Sequence, residues 1–228
     1  MKALIPLRDS VRPTKKPYIN YLLIILNIMI FYKQLKLPSD QLEQLIYRFG
    51  LIPSNISLLK WNSLLIGNWD TLFPLITSMF LHGSLLHIGG NMLYLWVFGD
   101  NVEDQLGHFK YLLFYLSVGI IGSLVHIFFN PNSTVPMIGA SGAIAGVLGA
   151  YFLAFPKARV VALVPLFFFI TVTQVRAVFF LFLWFILQLI NGITSLGVEE
   201  AQMVAWWAHI GGFASGTLGY LLLKNRRY

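Results

Sequence analysis

The sequence predicts an all-α membrane protein, built from six transmembrane helices with a long, partly membrane-embedded first outer loop. Three observations predict it. Of 228 residues, 57% are hydrophobic and only 11% charged, against about 25% charged in soluble domains. Mean hydropathy is +0.72. Several apolar stretches reach roughly 20 residues, enough to cross a hydrocarbon core of about 30 Å. Six such spans use nearly the whole chain. One membrane domain, residues 18–224, is therefore expected between a cytoplasmic N-terminal segment, residues 1–17, and a cytoplasmic tail, residues 225–228.

The spans are expected at about residues 18–35, 85–103, 109–129, 141–155, 177–193 and 203–223. Lys and Arg excess marks the cytoplasmic side. Lys2, Arg8, Arg12, Lys15 and Lys16 precede the first span; Lys157, Arg159 and Arg176 separate the fourth from the fifth; Lys224, Arg226 and Arg227 follow the sixth. The third-to-fourth connection has no Lys or Arg, and the fifth-to-sixth holds only Glu199 and Glu200. Both termini are therefore expected in the cytoplasm, in a multi-pass protein of the cell membrane with lipids as its surroundings. Loop 36–84 must then lie outside despite Lys36, Arg48 and Lys60. Its apolar residues, among them Leu45, Phe49, Leu58 and Leu64, suggest that it folds on or into the outer membrane face. Stretch 160–173 is apolar but holds Pro165, and reads as an interfacial cytoplasmic segment. A single span over 160–193 would bury Arg176, which is costly.

Several function classes are excluded. The net charge of +7 is scattered over loop ends and forms no stripe, which argues against nucleic acid. With no Cys, disulfides and thiolate metal sites are out. There is no His-Glu-x-x-His signature, no second intramembrane Asp beside Asp100, and no Lys in Gly139–Gly146 to make a nucleotide-binding phosphate loop.

What remains is a serine and a histidine. Ser141 opens the fourth span and His209 lies in the sixth, about six residues or 9 Å below its start. With the N-terminus inside, spans two, four and six run the same way. His87, Asn91, Ser141 and His209 then fall in one outer slab of the membrane. His87 and Asn91, four residues apart, share a helix face. Gly142-x3-Gly146 and Gly212-x3-Gly216 are small-x3-small patterns that permit close helix contact in lipid. A hydroxyl becomes a nucleophile when a base takes its proton, and a neutral imidazole does this near physiological pH. Asn91, His87 and the Ser141 backbone N–H can donate to an oxyanion. Asp100, Glu103 and Asp104 lie at least about 13 Å deeper, so a Ser–His dyad is expected rather than a triad. His82 and His126 are rival bases, but neither has a flanking glycine-rich contact surface; His108 reads as a surface residue, and Trp206 and Trp207 read as interfacial anchors.

These runs resemble the rhomboid intramembrane serine proteases. The resemblance is carried by His82-Gly83-Ser84-Leu85-Leu86-His87-Ile88-Gly89-Gly90-Asn91, by Gly139-Ala140-Ser141-Gly142-Ala143-Ile144-Ala145-Gly146, and by Ala208-His209-Ile210-Gly211-Gly212, with Phe98 to Asp104 resembling the family's exit from span two. It implies a six-helix rhomboid fold without cofactor, metal or nucleotide. It implies Ser141 as nucleophile, His209 as general base, and Asn91 and His87 as oxyanion donors. The implied partners are transmembrane protein substrates, cut in or near their membrane helix. Two positions depart from some members: Ala145 stands where a Tyr packs under the histidine, and Phe73-Pro74 where a Trp-Arg pair occurs. A rhomboid-like helix binder without activity is the first alternative, which the presence of both Ser141 and His209 disfavours. A small transporter is the second, disfavoured by polar residues confined to the outer third.

Overall fold

The structure, a computed structural model, describes residues 5–57, 72–166, 169–196 and 204–224. Strand β1 (Ile5–Asp9) leads into helix α1 (Tyr18–Gln34). Three shorter helices follow, α2 (Ser39–Phe49), α3 (Pro53–Ser57) and α4 (Pro74–Thr77), with a 3-10 turn at Ser78–Phe80. Next come α5 (Leu85–Leu106), α6 (His108–Phe129) and α7 (Ser141–Ala154), then strands β2 (Arg159–Leu166) and β3 (Phe169–Arg176), and finally α8 (Ala177–Thr194) and α9 (Trp206–Leu223). Helices α6 and α8 are long and apolar enough to cross a membrane by length and composition.

The long helices begin and end within a few residues of the expected spans, and local chemistry explains the ends. Ser84 caps α5 by accepting the His87 N–H at 3.1 Å. Gly107, with φ of 81°, ends it and lets α6 start at once. Glu103 and Asp104 lie in the last turn of α5, which runs three residues past the expected end of the span at 103. Glu103 accepts the N–H groups of Ile19 and Asn20 at 3.0 and 2.7 Å, capping α1 from a neighbouring helix. Asn20 in turn donates to the Leu95 carbonyl at 3.0 Å and accepts from Tyr111 at 2.8 Å, so the buried amide joins α1, α5 and α6.

The all-α expectation needs correcting. The stretch 160–173 is the greater part of an antiparallel hairpin, β2 paired with β3 from Arg159↔Arg176 to Leu166↔Phe169. β1 adds to its edge, with Ile5 opposite Leu163 and Asp9 opposite Val160. Val160, Val161, Val172 and Thr173 favour a pleated surface, and the alternation is real: Val160 and Ala162 are fully buried against the helices, while Arg159 is exposed. Residues of the N-terminal segment are thus tied to the helices. Asp9 accepts from Asn101 of α5 at 3.0 Å and from Tyr151 of α7. Thr14 and Lys15 donate their N–H groups to Asp104, each at 3.1 Å.

In the first loop, α2 has no buried residue, but Leu51 is fully buried and bridges to Met137. Leu58, Leu59, Lys60, Leu64, Leu65 and Asp70 fall outside the described residues, as do Glu199 and Glu200. Arg176 stands at the N-cap of α8, clear of the helix itself.

Candidate active site

Among the described residues, helices α7 and α9 make the most extensive helix contact, and glycines allow it. A β-carbon at Gly212 would stand 2.1 Å from the Gly142 carbonyl oxygen, and one at Gly216 2.0 Å from that of Gly146. Both clashes are with backbone, so the two small-x3-small patterns face each other. Ala145, fully buried beside Gly212, belongs to the same contact.

This approach brings Ser141 and His209 together: His209 Nε2 lies 2.7 Å from Ser141 Oγ. α9 begins at Trp206 rather than 203, so His209 is its fourth residue, about 4.5 Å along the axis instead of 9 Å. That shallower place matches Ser141, the first residue of α7.

The other ring nitrogen meets a residue the sequence reading passed over. His209 Nδ1 lies 2.8 Å from Oε1 of Gln188 on α8. An amide oxygen only accepts, so Nδ1 carries the hydrogen and Nε2 is left to receive the serine proton. The signal was present: Gln188 and Asn191 are the polar side chains inside the apolar run of α8, and such residues face inward or mark function. Trp184 and Trp206 flank the imidazole at 6.0 Å centroid separation each, tilted and edge-on. Trp207 is buried and stacked 3.6 Å from Phe129, which corrects its reading as an interfacial anchor.

Asn91 and His87 reach the same turn from α5. Gly139, two residues before Ser141, has φ of 125°, a conformation open to glycine. A β-carbon there would meet His87 Nε2 at 2.6 Å and Asn91 Nδ2 at 3.7 Å. Asn91 Nδ2 also donates to His82 Nε2 at 2.9 Å. Burial first, and then the neighbouring His87, hold His82 neutral by pushing its pKa far below the usual range, so it can accept. His82 is a support for Asn91 rather than a rival base. His126 is buried and hydrogen-bonds with Asn130, and His108 pairs with Glu103. Among the described residues no carboxylate hydrogen-bonds His209. Asp100, Glu103 and Asp104 are bonded at the far end of α5.

Two cavities open on the pair. One of about 240 Å³ touches Ser78, His87, Asn91, Ser123, Ser141 and His209. The other, about 640 Å³, lies between α5 and α8 and is walled by Tyr94, Trp184, Gln188, Asn191 and Trp206.

A family model described as Rhomboid domain matches residues 70–226, well over half of the chain. The chain belongs to the rhomboid family. It is an integral membrane protein. It is 39% identical over 137 residues to Rhomboid protease GluP of Bacillus subtilis (strain 168), covering 59% of this chain and 24% of that protein. It is 30% identical over 168 residues to the mitochondrial presenilin-associated rhomboid-like protein of Homo sapiens, covering 67% and 40%. It is 31% identical over 177 residues to the mitochondrial RHOMBOID-like protein 6 of Arabidopsis thaliana, covering 75% and 49%. The match thus spans half or less of each relative's own length. Within this rhomboid, all four residues singled out from the sequence line the smaller cavity.

Proposed function

We propose that this rhomboid is an intramembrane serine endopeptidase that cuts transmembrane or membrane-anchored proteins in or near their membrane helix. One observation carries the reading: the continuous hydrogen-bond path from Ser141 through His209 to Gln188. Ser141 Oγ attacks the scissile carbonyl carbon as His209 Nε2 takes its proton. The carbonyl π bond breaks to give an oxyanion, which accepts from the Asn91 amide, the His87 ring and the Ser141 N–H at the positive end of α7. His209 then protonates the leaving amine as the C–N bond breaks, leaving an acyl-serine. Water attacks that ester with His209 again as base, releasing the acid and restoring Ser141. Gln188 keeps the imidazole in the one tautomer that can do this. It acts as an acceptor without charge, so we read a Ser–His dyad with an amide as positioning group.

Length supports access for water. α7 has 14 residues, about 21 Å of rise against a hydrocarbon core of about 30 Å. With its C-terminal end at the inner surface, Ser141 lies below the outer one, under the smaller cavity. That cavity has room for several waters at about 30 Å³ each. The larger, apolar-walled cavity between α5 and α8 fits a substrate segment approaching from the lipid side.

The same proposal takes α1, α5, α6, α7, α8 and α9 as six spans of a domain over residues 18–224. Both termini are cytoplasmic, in the cell membrane, as the Lys and Arg bias supports. The mitochondrial names of several relatives favour a mitochondrial membrane as the second reading. A fluorescent fusion to the C-terminus, imaged against markers of both membranes, separates them.

The deciding experiment incubates the purified chain in liposomes with a model transmembrane substrate, beside Ser141→Ala. Cleavage by the native chain alone is expected. Equal cleavage by both removes Ser141 from its role, and no cleavage of any of several substrates favours a helix-binding relative without activity.

A further inference from the structure

A second built feature lies at the opposite end of the bundle. Tyr151, which bonds Asp9 of β1, is ten residues beyond Ser141, about 15 Å along α7. The sheet therefore sits where the bundle of an integral membrane protein meets the membrane surface. Its inner face, Pro6, Val160 and Ala162, is buried on the helices. Cross-strand partners share a face, so the outer face has two ends. At one end Ile5, Leu163 and Val172 stand side by side, and Ile5 and Val172 are 39% and 60% exposed. At the other end Arg159 stands opposite Arg176, and Arg8 opposite Val161.

Like charges facing each other across strands are destabilising. Among the described residues none of Arg8, Arg12, Arg159 or Arg176 forms an ion pair. Arg8, Arg12 and Arg159 instead border a cavity of about 310 Å³ together with Ser10 and Gln174. Asp9 is at its edge, but its carboxylate is engaged by Tyr151 and Asn101. Ser10 Oγ accepts the Arg159 N–H at 2.9 Å, fixing the loop that carries Arg12 to the strand that carries Arg159. Three guanidinium groups with donors from Ser10 and Gln174 suit a phosphate oxygen cluster. The aliphatic end of the same face distinguishes a lipid from a soluble phosphate, because it offers acyl chains a surface continuous with the headgroup site.

We propose that Arg8, Arg12 and Arg159 bind the phosphate of an anionic phospholipid, whose acyl chains lie over Ile5, Leu163 and Val172. The inference rests on membrane embedding and not on the protease reading, so Ser141→Ala must bind as the native chain does.

The test uses the full chain purified in a neutral detergent. Its melting temperature is titrated with dihexanoyl phosphatidylglycerol, dihexanoyl phosphatidylcholine or inorganic phosphate. Phosphatidylglycerol is expected to raise Tm, the zwitterionic lipid to leave it unchanged, and inorganic phosphate to act only at much higher concentration. At about 1 kcal/mol per basic residue near an anionic surface, Arg8→Gln with Arg12→Gln and Arg159→Gln should weaken the apparent affinity roughly a hundredfold. Gln174→Glu sets a carboxylate into the cavity while leaving every arginine in place, and should weaken it about tenfold; it decides the matter if the triple variant fails to fold. Equal shifts from both lipids, or affinity retained in these variants, would overturn the proposal. An equal shift from inorganic phosphate at equal concentration would overturn the lipid as its source.

Discussion

Replacing Gln188 by Met isolates the contribution of the amide that holds the base. Met has similar length and packs in the same buried space, but it removes the oxygen 2.8 Å from His209 Nδ1. In the transition state the imidazole carries a positive charge, and a hydrogen bond to a charged group contributes about 1.5–3 kcal/mol. The expected loss in kcat is therefore about 10- to 150-fold. KM should stay within about twofold, because the interaction strengthens only as charge develops. Gln188→Glu keeps an acceptor at the same place and should recover most of that loss. The assay is initial cleavage rate against substrate mole fraction in liposomes. The rate of fluorophosphonate labelling serves beside it as a readout of Ser141 that needs no substrate docking. A Met variant with native kcat and native labelling rate would refute the positioning argument, as would a Glu variant no better than Met.

Other outcomes follow from the same geometry. Asn91→Ala should lower kcat about 10²- to 10³-fold with little change in KM, as expected for an oxyanion donor; a loss confined to KM counts against that role. Gly216→Ala sets a β-carbon 2.0 Å from the Gly146 carbonyl oxygen and should cost at least about 1–3 kcal/mol by overpacking, whereas Gly89→Ala meets nothing within 4 Å and should melt like the native chain. Burial raises the Asp9 carboxyl above its ordinary range, more than its hydrogen bond to Tyr151 lowers it. The folded chain therefore keeps this proton where the unfolded chain has lost it. Stability from this group is full below about pH 4 and falls as pH rises through the raised value. Asp9→Asn should flatten that part of the Tm–pH curve, and an unchanged slope would contradict it.

Much of the site was legible because membrane helices obey few rules. Charge bias and rise per residue placed His87, Asn91, Ser141 and His209 at similar depth, and the paired glycines marked the surfaces that meet. Ser141 and Ala177 begin their helices where expected. The strands were harder to see. A short apolar run such as Val160–Val164 fits either a strand or a buried helix by pattern alone, and β1 is defined by partners more than 150 residues away. β-branched density in 160–173 was the cue available. Gln188 was missed for a different reason: the search for a third member looked for carboxylates, and a neutral amide can orient an imidazole without the cost of a second buried charge. Ala145 likewise gains its meaning from Gly212, a neighbour that local sequence does not reveal.

The imidazole is suspended between helices of unequal anchorage. Ser141 approaches it from α7, which is clamped to α9 along glycine-lined backbone. Gln188 approaches from α8, which touches α9 less extensively and α7 only slightly. α8 is also a wall of the larger cavity. Displacing α8 outward widens that cavity and lengthens the Gln188–His209 bond in a single movement. Alignment of the base therefore depends on how that wall is seated, because the residue that orients His209 also lines the groove.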